Sequence, residues 1–200
     1  MQITERDIEI IRFINNFGFC EIKQIEKQFG IKKSRGYQIM KRLVDANLVV
    51  HERVFHGVHG IFYVTHRGSE FSDLPPIKNI PKDNYRHQLA IIDTFFKLKA
   101  QYPEAEWVSE RRIKRDKYMD GLGKRRHIPD GLLIFPDSKE VAIEVELTLK
   151  SKRRLLEIFR NYMACLEIKE IWYYCSPKIT EQLRQLAEKK PFLKFYDFER

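Results

Sequence analysis

The spacing of apolar positions predicts three short helices followed by a pair of strands. Ile8, Ile11, Ile14 and Phe17 recur every third residue, the period of one helix face. Thr4 stands where an N-cap belongs, with Asp7 at the position where a capping box usually carries Glu, and Gly18 ends the element. A second helix is predicted from about Glu21, with Ile22, Ile25 and Phe29 inward and Gly30 at its C-terminal end. A third runs from Lys33 or Ser34 to Ala46, with Tyr37, Met40, Leu43 and Val44 as its apolar side. Leu48-Val49-Val50 reads as a strand, His56 to Gly60 as a glycine-containing turn, and Ile61 to Val64 as the returning strand.

Pro75, Pro76 and Pro81 deny regular structure to residues 72–83, which predicts a semi-extended linker between a domain at 1–71 and another at 84–200. Beyond it the pattern predicts a helix over Asn84–Gln101 and a strand beginning at Trp107-Val108-Ser109-Glu110. A basic stretch with a loop at Gly121 and Gly123 comes next, then strands over His127–Phe135 and Val141–Leu149. Ser151 caps a long amphipathic helix that carries Leu155, Ile158, Phe159 and Tyr162. Ile171 to Cys175 is apolar at every position, as in a strand buried on both faces. A helix over Pro177–Lys189 and a strand over Phe192–Phe198 complete the chain.

Charge narrows the class of partner. The 200 residues are 43% hydrophobic, enough for a packed core, and carry a formal charge of +9. That balance suits a polyanion, either nucleic acid or an anionic surface. The chain begins without a basic segment leading into an apolar run, and no stretch is apolar enough to span a bilayer, so a cytoplasmic protein without membrane contact is expected. Cys20, Cys165 and Cys175 are odd in number and widely spaced, which fits neither a zinc knuckle nor a disulfide framework.

Three helices followed by a hairpin resemble a winged helix-turn-helix over residues 3–71. In that arrangement the third helix is the recognition helix and double-stranded DNA the partner. Lys32, Lys33, Arg35, Lys41 and Arg42 can neutralise phosphates there, and Arg35, Tyr37 or Gln38 can reach base edges. His51, His56, His59 and His66 lie in or near the hairpin, with no Cys or clustered carboxylate to complete a metal site.

In the second half, Pro129-Asp130 falls on one predicted strand and Glu144-Val145-Glu146 on the next. Residues two apart on a strand share a face, so Glu144 and Glu146 point together. Pairing Phe135 with Glu140 would set Asp130 opposite Val145 and break the cluster. A loop one residue different, or a bulge, sets Asp130 opposite Glu144 or Glu146, and one of these is expected. Gathered carboxylates repel one another, and Mg²⁺ or Mn²⁺ held by Asp130 and Glu144 would relieve the repulsion and activate a water. Salt bridges to Arg111, Arg112 or neighbouring lysines would relieve it equally well.

The order of helices and strands resembles the αβββαβ core of the PD-(D/E)XK nucleases, a restriction-endonuclease-like domain. The fold class expected is therefore α+β, a winged helix followed by that domain. The sequence departs from the usual motif by placing Glu146 where most members have Lys. Lys150 faces the same way as Glu144, but along a continuing strand it would lie roughly 20 Å from it. Lys152 or Arg154 are the nearer substitutes.

The segments His87–Asp93, Trp107–Arg111, Pro129-Asp130-Gly131 and Glu144–Ser151 together resemble the replication-relaxation family of plasmids and integrative elements, itself similar to relaxases of the MobC type. The resemblance implies His87, Glu110, Asp130, Glu144 and Glu146 as catalytic positions. It also implies a DNA-tracking role for Arg111, Arg112, Lys114, Arg115, Lys124, Arg125 and Arg126. The function implied is replication or conjugative mobilisation, by metal-dependent nicking or as a catalytically inactive DNA-binding regulator. A homodimer and contacts to replication or relaxosome proteins are the further partners it suggests.

Overall fold

The computed structural model describes residues 2–119, 127–164, 168–187 and 190–198. The chain divides into two units, Met1–Ile92 and Asp93–Arg200.

The first unit opens with α1 (Glu5–Phe17), β1 (Phe19–Glu21), α2 (Ile22–Phe29) and α3 (Lys33–Asp45), followed by β2 (Val49–Glu52), β3 (Ile61–Val64) and the short α4 (His66–Ser69). Thr4 caps α1 reciprocally. Its hydroxyl accepts the Asp7 N–H at 3.3 Å, and its own N–H donates to Asp7 Oδ2 at 2.9 Å. α2 ends at Gly30 with φ 61°, a left-handed conformation that a side chain would strain. Ile10, Ile11, Ile14, Ile25, Met40 and Leu43 are buried.

This unit departs from three helices and a hairpin. β1 stands between α1 and α2 and pairs with β3, giving an antiparallel three-stranded sheet in the order β1-β3-β2. Three residues are too few for alternation to announce a strand. Tyr37, expected on the apolar side of α3, faces solvent, while Gly36 and Ile39 are buried in its stead. Residues 72–83 pack on this unit. Leu74 is buried and accepts from Asn15 Nδ2 at 2.6 Å, and Ile77 and Ile80 lie against Phe19, Ile61, Tyr85 and Leu89.

α5 (Tyr85–Gln101) contains the division between the units. After it come β4 (Glu106–Ser109), α6 (Glu110–Met119), β5 (Gly131–Ile134), β6 (Glu140–Glu146), α7 (Lys152–Met163), β7 (Ile168–Cys175), α8 (Pro177–Leu186) and β8 (Leu193–Asp197). One five-stranded sheet results, in the order β4-β5-β6-β7-β8. β4, β5 and β6 pair antiparallel, whereas β6, β7 and β8 pair parallel. Ala142, Ile171, Tyr173 and Cys175 share one buried cluster with Leu155, Ile158, Phe159 and Tyr162 of α7 and Ile179 and Leu183 of α8.

The expected fold class is corrected by this architecture. The chain is mixed α/β, with a five-stranded mixed sheet interrupted after its first strand by a helix, in place of a winged helix joined to an αβββαβ restriction-endonuclease-like core. The interrupting helix, α6, falls where the sequence predicts a basic, loop-containing stretch, because it has almost no apolar face. It forms because Arg, Lys and Glu are good helix formers. Ser109 Oγ accepts the Arg112 N–H at 3.3 Å at its start, and Glu110 pairs with Lys114 one turn on, at 2.5 Å. Two strands are also shorter than their apolar runs. β5 begins at Gly131, not His127, and β6 stops at Glu146, not Leu149.

Candidate functional site

Two surfaces carry the predicted chemistry, one in each unit. In the first, Lys33, Tyr37 and Lys41 follow one another at four-residue spacing on α3 and so share an exposed face. Tyr37 is 44% exposed in the middle of it. The predicted DNA-contacting residues differ in how far they are already engaged. Arg42 Nη2 donates to the buried Asp7 Oδ1 at 2.5 Å, Lys41 pairs with Asp45 at 2.7 Å, and Arg35 Nη1 donates to Gln38 Oε1 at 3.2 Å. Lys32 and Lys33 are exposed and have no ion pair among the described residues.

In the second unit the hairpin register decides the site. Ile134 pairs with Glu140 and Gly131 with Ile143, so one further step sets Asp130 opposite Glu144. Asp130 Oδ2 accepts the Val145 N–H at 2.8 Å, which fixes the carboxylate beside β6. Gly131 is needed for space, because a Cβ there would run into the Trp107 ring. Ala142, Glu144 and Glu146 alternate onto one face of β6, so that face turns from apolar to acidic toward its C-terminal end.

Glu144 and Glu146 are 2% and 3% exposed. Glu144 Oε1 accepts from the Tyr162 hydroxyl and lies 2.6 Å from His127 Nε2. Glu146 Oε2 accepts from Lys150 Nζ. Burial raises the Glu146 carboxyl above its usual range. The Lys150 contact opposes that shift, and the Glu144 and Asp130 charges add to it. Burial alone would pull Lys150 down, but the bond to Glu146 and the charges of all three carboxylates outweigh it and raise the ammonium.

Lys150 therefore belongs to the cluster that extended geometry excluded it from. Because β6 ends at Glu146, the chain turns, and four residues later Lys150 returns to the strand end. His127, Tyr162 and Tyr173 join the site without a signal in the sequence. Tyr173 is the β7 partner of Glu144, and its buried hydroxyl has no hydrogen-bond partner among the described residues. A strand apolar at every position conceals it. Cys175 is no nucleophile here, since burial and then Glu146 push its thiol up to about 12.

The other predicted positions fall on α5 and α6 or outside the described residues. Glu110 opens α6 and is paired with Lys114. Arg111, Arg112, Lys114 and Arg115 lie on that helix, with Arg115 paired to Asp116 at 2.8 Å. His87 lies in α5, within the first unit. Lys124, Arg125 and Arg126 lie outside the described residues. Among the described residues no three His, Cys, Asp or Glu side chains come together closely enough to hold a metal ion, and no helix is long and apolar enough to cross a membrane.

No family model and no curated protein matches this chain. Among solved structures it is similar to an O-methyltransferase family protein from Burkholderia thailandensis, at 10% identity and a TM-score of 0.22. That overlap covers 97% of this chain and 61% of the other, so the chain spans about three fifths of its length. The overlap is too slight to carry a fold or an activity across. The resemblance to the replication-relaxation family thus rests on the motif residues alone.

Proposed function

We propose that this chain binds double-stranded DNA through the exposed face of α3, and that it serves replication or conjugative mobilisation of a plasmid or mobile element. The observation that carries the binding is the division of labour among the basic residues of α3. Lys41 and Arg42 are paired within the protein, while Lys32 and Lys33, with Arg35 beside them, stand exposed around Tyr37 and Gln38. Cations around an aromatic and an amide suit phosphate contact combined with base-edge contact. The mobile-element setting follows from the motif resemblance only.

The test is anisotropy of a labelled duplex over a salt series. Removing one phosphate-binding side chain should flatten the salt dependence by about 0.9 in log–log slope. Lys33→Glu with Arg35→Glu should abolish binding at moderate salt. Binding unchanged in that double variant would remove α3 as the DNA surface.

One observation favours a second reading, metal-dependent nicking. Lys150 joins Asp130, Glu144 and Glu146 at one strand end, with basic α6 following the neighbouring strand. Mg²⁺ or Mn²⁺ would fall to Asp130 and Glu144, yet among the described residues these donors do not converge with a third. Supercoiled plasmid incubated with Mg²⁺, Mn²⁺ or EDTA distinguishes the readings. Metal-dependent relaxed circles that disappear in Asp130→Ala and Glu144→Ala mark a nickase. Retarded but intact plasmid marks a DNA-binding regulator.

A further inference from the structure

We propose that Lys150 is the resident counter-cation of the Asp130–Glu144–Glu146 cluster, and that its ammonium keeps divalent metal out of the cluster in the free protein. The inference stands on the second unit alone and is independent of DNA binding. Three carboxylates meet at one end of the β5–β6 hairpin, two of them almost fully buried. Such a group cannot stay ionised without compensation. Each carboxylate has already committed one oxygen: Asp130 Oδ2 to the Val145 N–H, Glu144 Oε1 to Tyr162 and His127, and Glu146 Oε2 to Lys150. Lys150 brings a permanent positive charge to Glu146.

A divalent ion would seek the same negative potential and the same Glu146 oxygen, and it would be repelled by an ammonium already there. Among the described residues no three of the acids converge on a metal-sized volume. Lys150 can also leave. It is carried on the turn after β6, where Thr148 and Leu149 are exposed and its side chain is 36% accessible. One unused group awaits a replacement ligand. The Tyr173 hydroxyl, buried beside Glu144 and within electrostatic reach of all three acids, has no partner among the described residues.

The experiment is Mn²⁺ titration of the full chain without DNA, followed by calorimetry and by the fading of the free Mn²⁺ paramagnetic signal. The wild type and Lys150→Arg should bind weakly and alike, and Lys150→Met about tenfold or more tightly. That increase should vanish when Asp130→Asn is added. If circular dichroism shows Lys150→Met unfolded, Lys150→Gln, which keeps a donor for Glu146 but no charge, decides the same point. A wild type that binds Mn²⁺ as tightly as the neutral variant, or a folded neutral variant that binds no more tightly than the wild type, overturns the proposal.

Discussion

Arg42 reaches from α3 to the carboxylate of Asp7, whose other oxygen closes the cap of α1. One buried side chain, 1% exposed, thus satisfies a helix terminus and anchors the helix that carries the basic face. Asp7→Ala removes a cap and a charged hydrogen bond together and should lower stability by about 2–3 kcal/mol in urea titration. Because both residues share one contact, the Asp7→Ala/Arg42→Ala double variant should cost about 1 kcal/mol less than the sum of the singles. Additive costs would show that the pair is not coupled in solution.

The Trp107–Gly131 contact gives a prediction about space rather than charge. A Cβ at residue 131 would overlap the indole, and the ring itself packs edge-on to Phe95. Gly131→Ala should therefore cost about 1–3 kcal/mol, as overpacking does. Trp107→Leu in the same chain should recover part of that cost by opening room. A wild-type denaturation midpoint for Gly131→Ala would show that β4 yields freely.

Glu170 sets a pH dependence. Lys139, Lys194 and the Trp172 N–H each approach its carboxylate at 2.7 Å, and against the opposing effect of burial they hold it down to about 2. An unfolded glutamate titrates near about 4.3. The folded value is depressed, so the stabilisation is present above the unfolded value and is lost as pH falls toward about 2. Stability measured between about pH 5 and 2 should fall less steeply in Glu170→Gln than in the wild type. Identical slopes would show that the three donors do not hold the charge in solution.

Much of this architecture is legible in the sequence, and the misses share a cause. Thr4, Asp7 and Gly30 announce their caps because capping chemistry is local. The pair Glu144 and Glu146 is legible because strand alternation is local too. β1 and α6 are not, since one is too short for a period and the other has no apolar face to show one. Lys150 escapes a reading from strand geometry because its position depends on where β6 stops, and the apolar run continues through Leu147 and Leu149 after the ladder has ended. Tyr162 and Tyr173 look like core aromatics, and by burial they are. Only the register of β6 against β7 brings Tyr173 to the acids.

Those two tyrosines should behave oppositely when their hydroxyls are removed, although both are buried and both phenols are pushed well above their ordinary range, first by burial and then by Glu144. Tyr162 donates to Glu144, a carboxylate 2% exposed, so Tyr162→Phe leaves a buried charge short of a donor and should cost about 1–3 kcal/mol. The Tyr173 hydroxyl is buried without a partner among the described residues, so Tyr173→Phe removes a desolvated group that makes no bond there. Its stability should stay within about 1 kcal/mol of wild type, or rise. Ring packing is preserved in both variants, against Phe159 and Phe195 for Tyr173 and against His127 for Tyr162, so the pair of variants isolates the hydroxyls. Chemical denaturation of the two variants side by side checks this. Equal destabilisation would mean that Tyr173 also bonds to the cluster and that the acids are fully enclosed by donors.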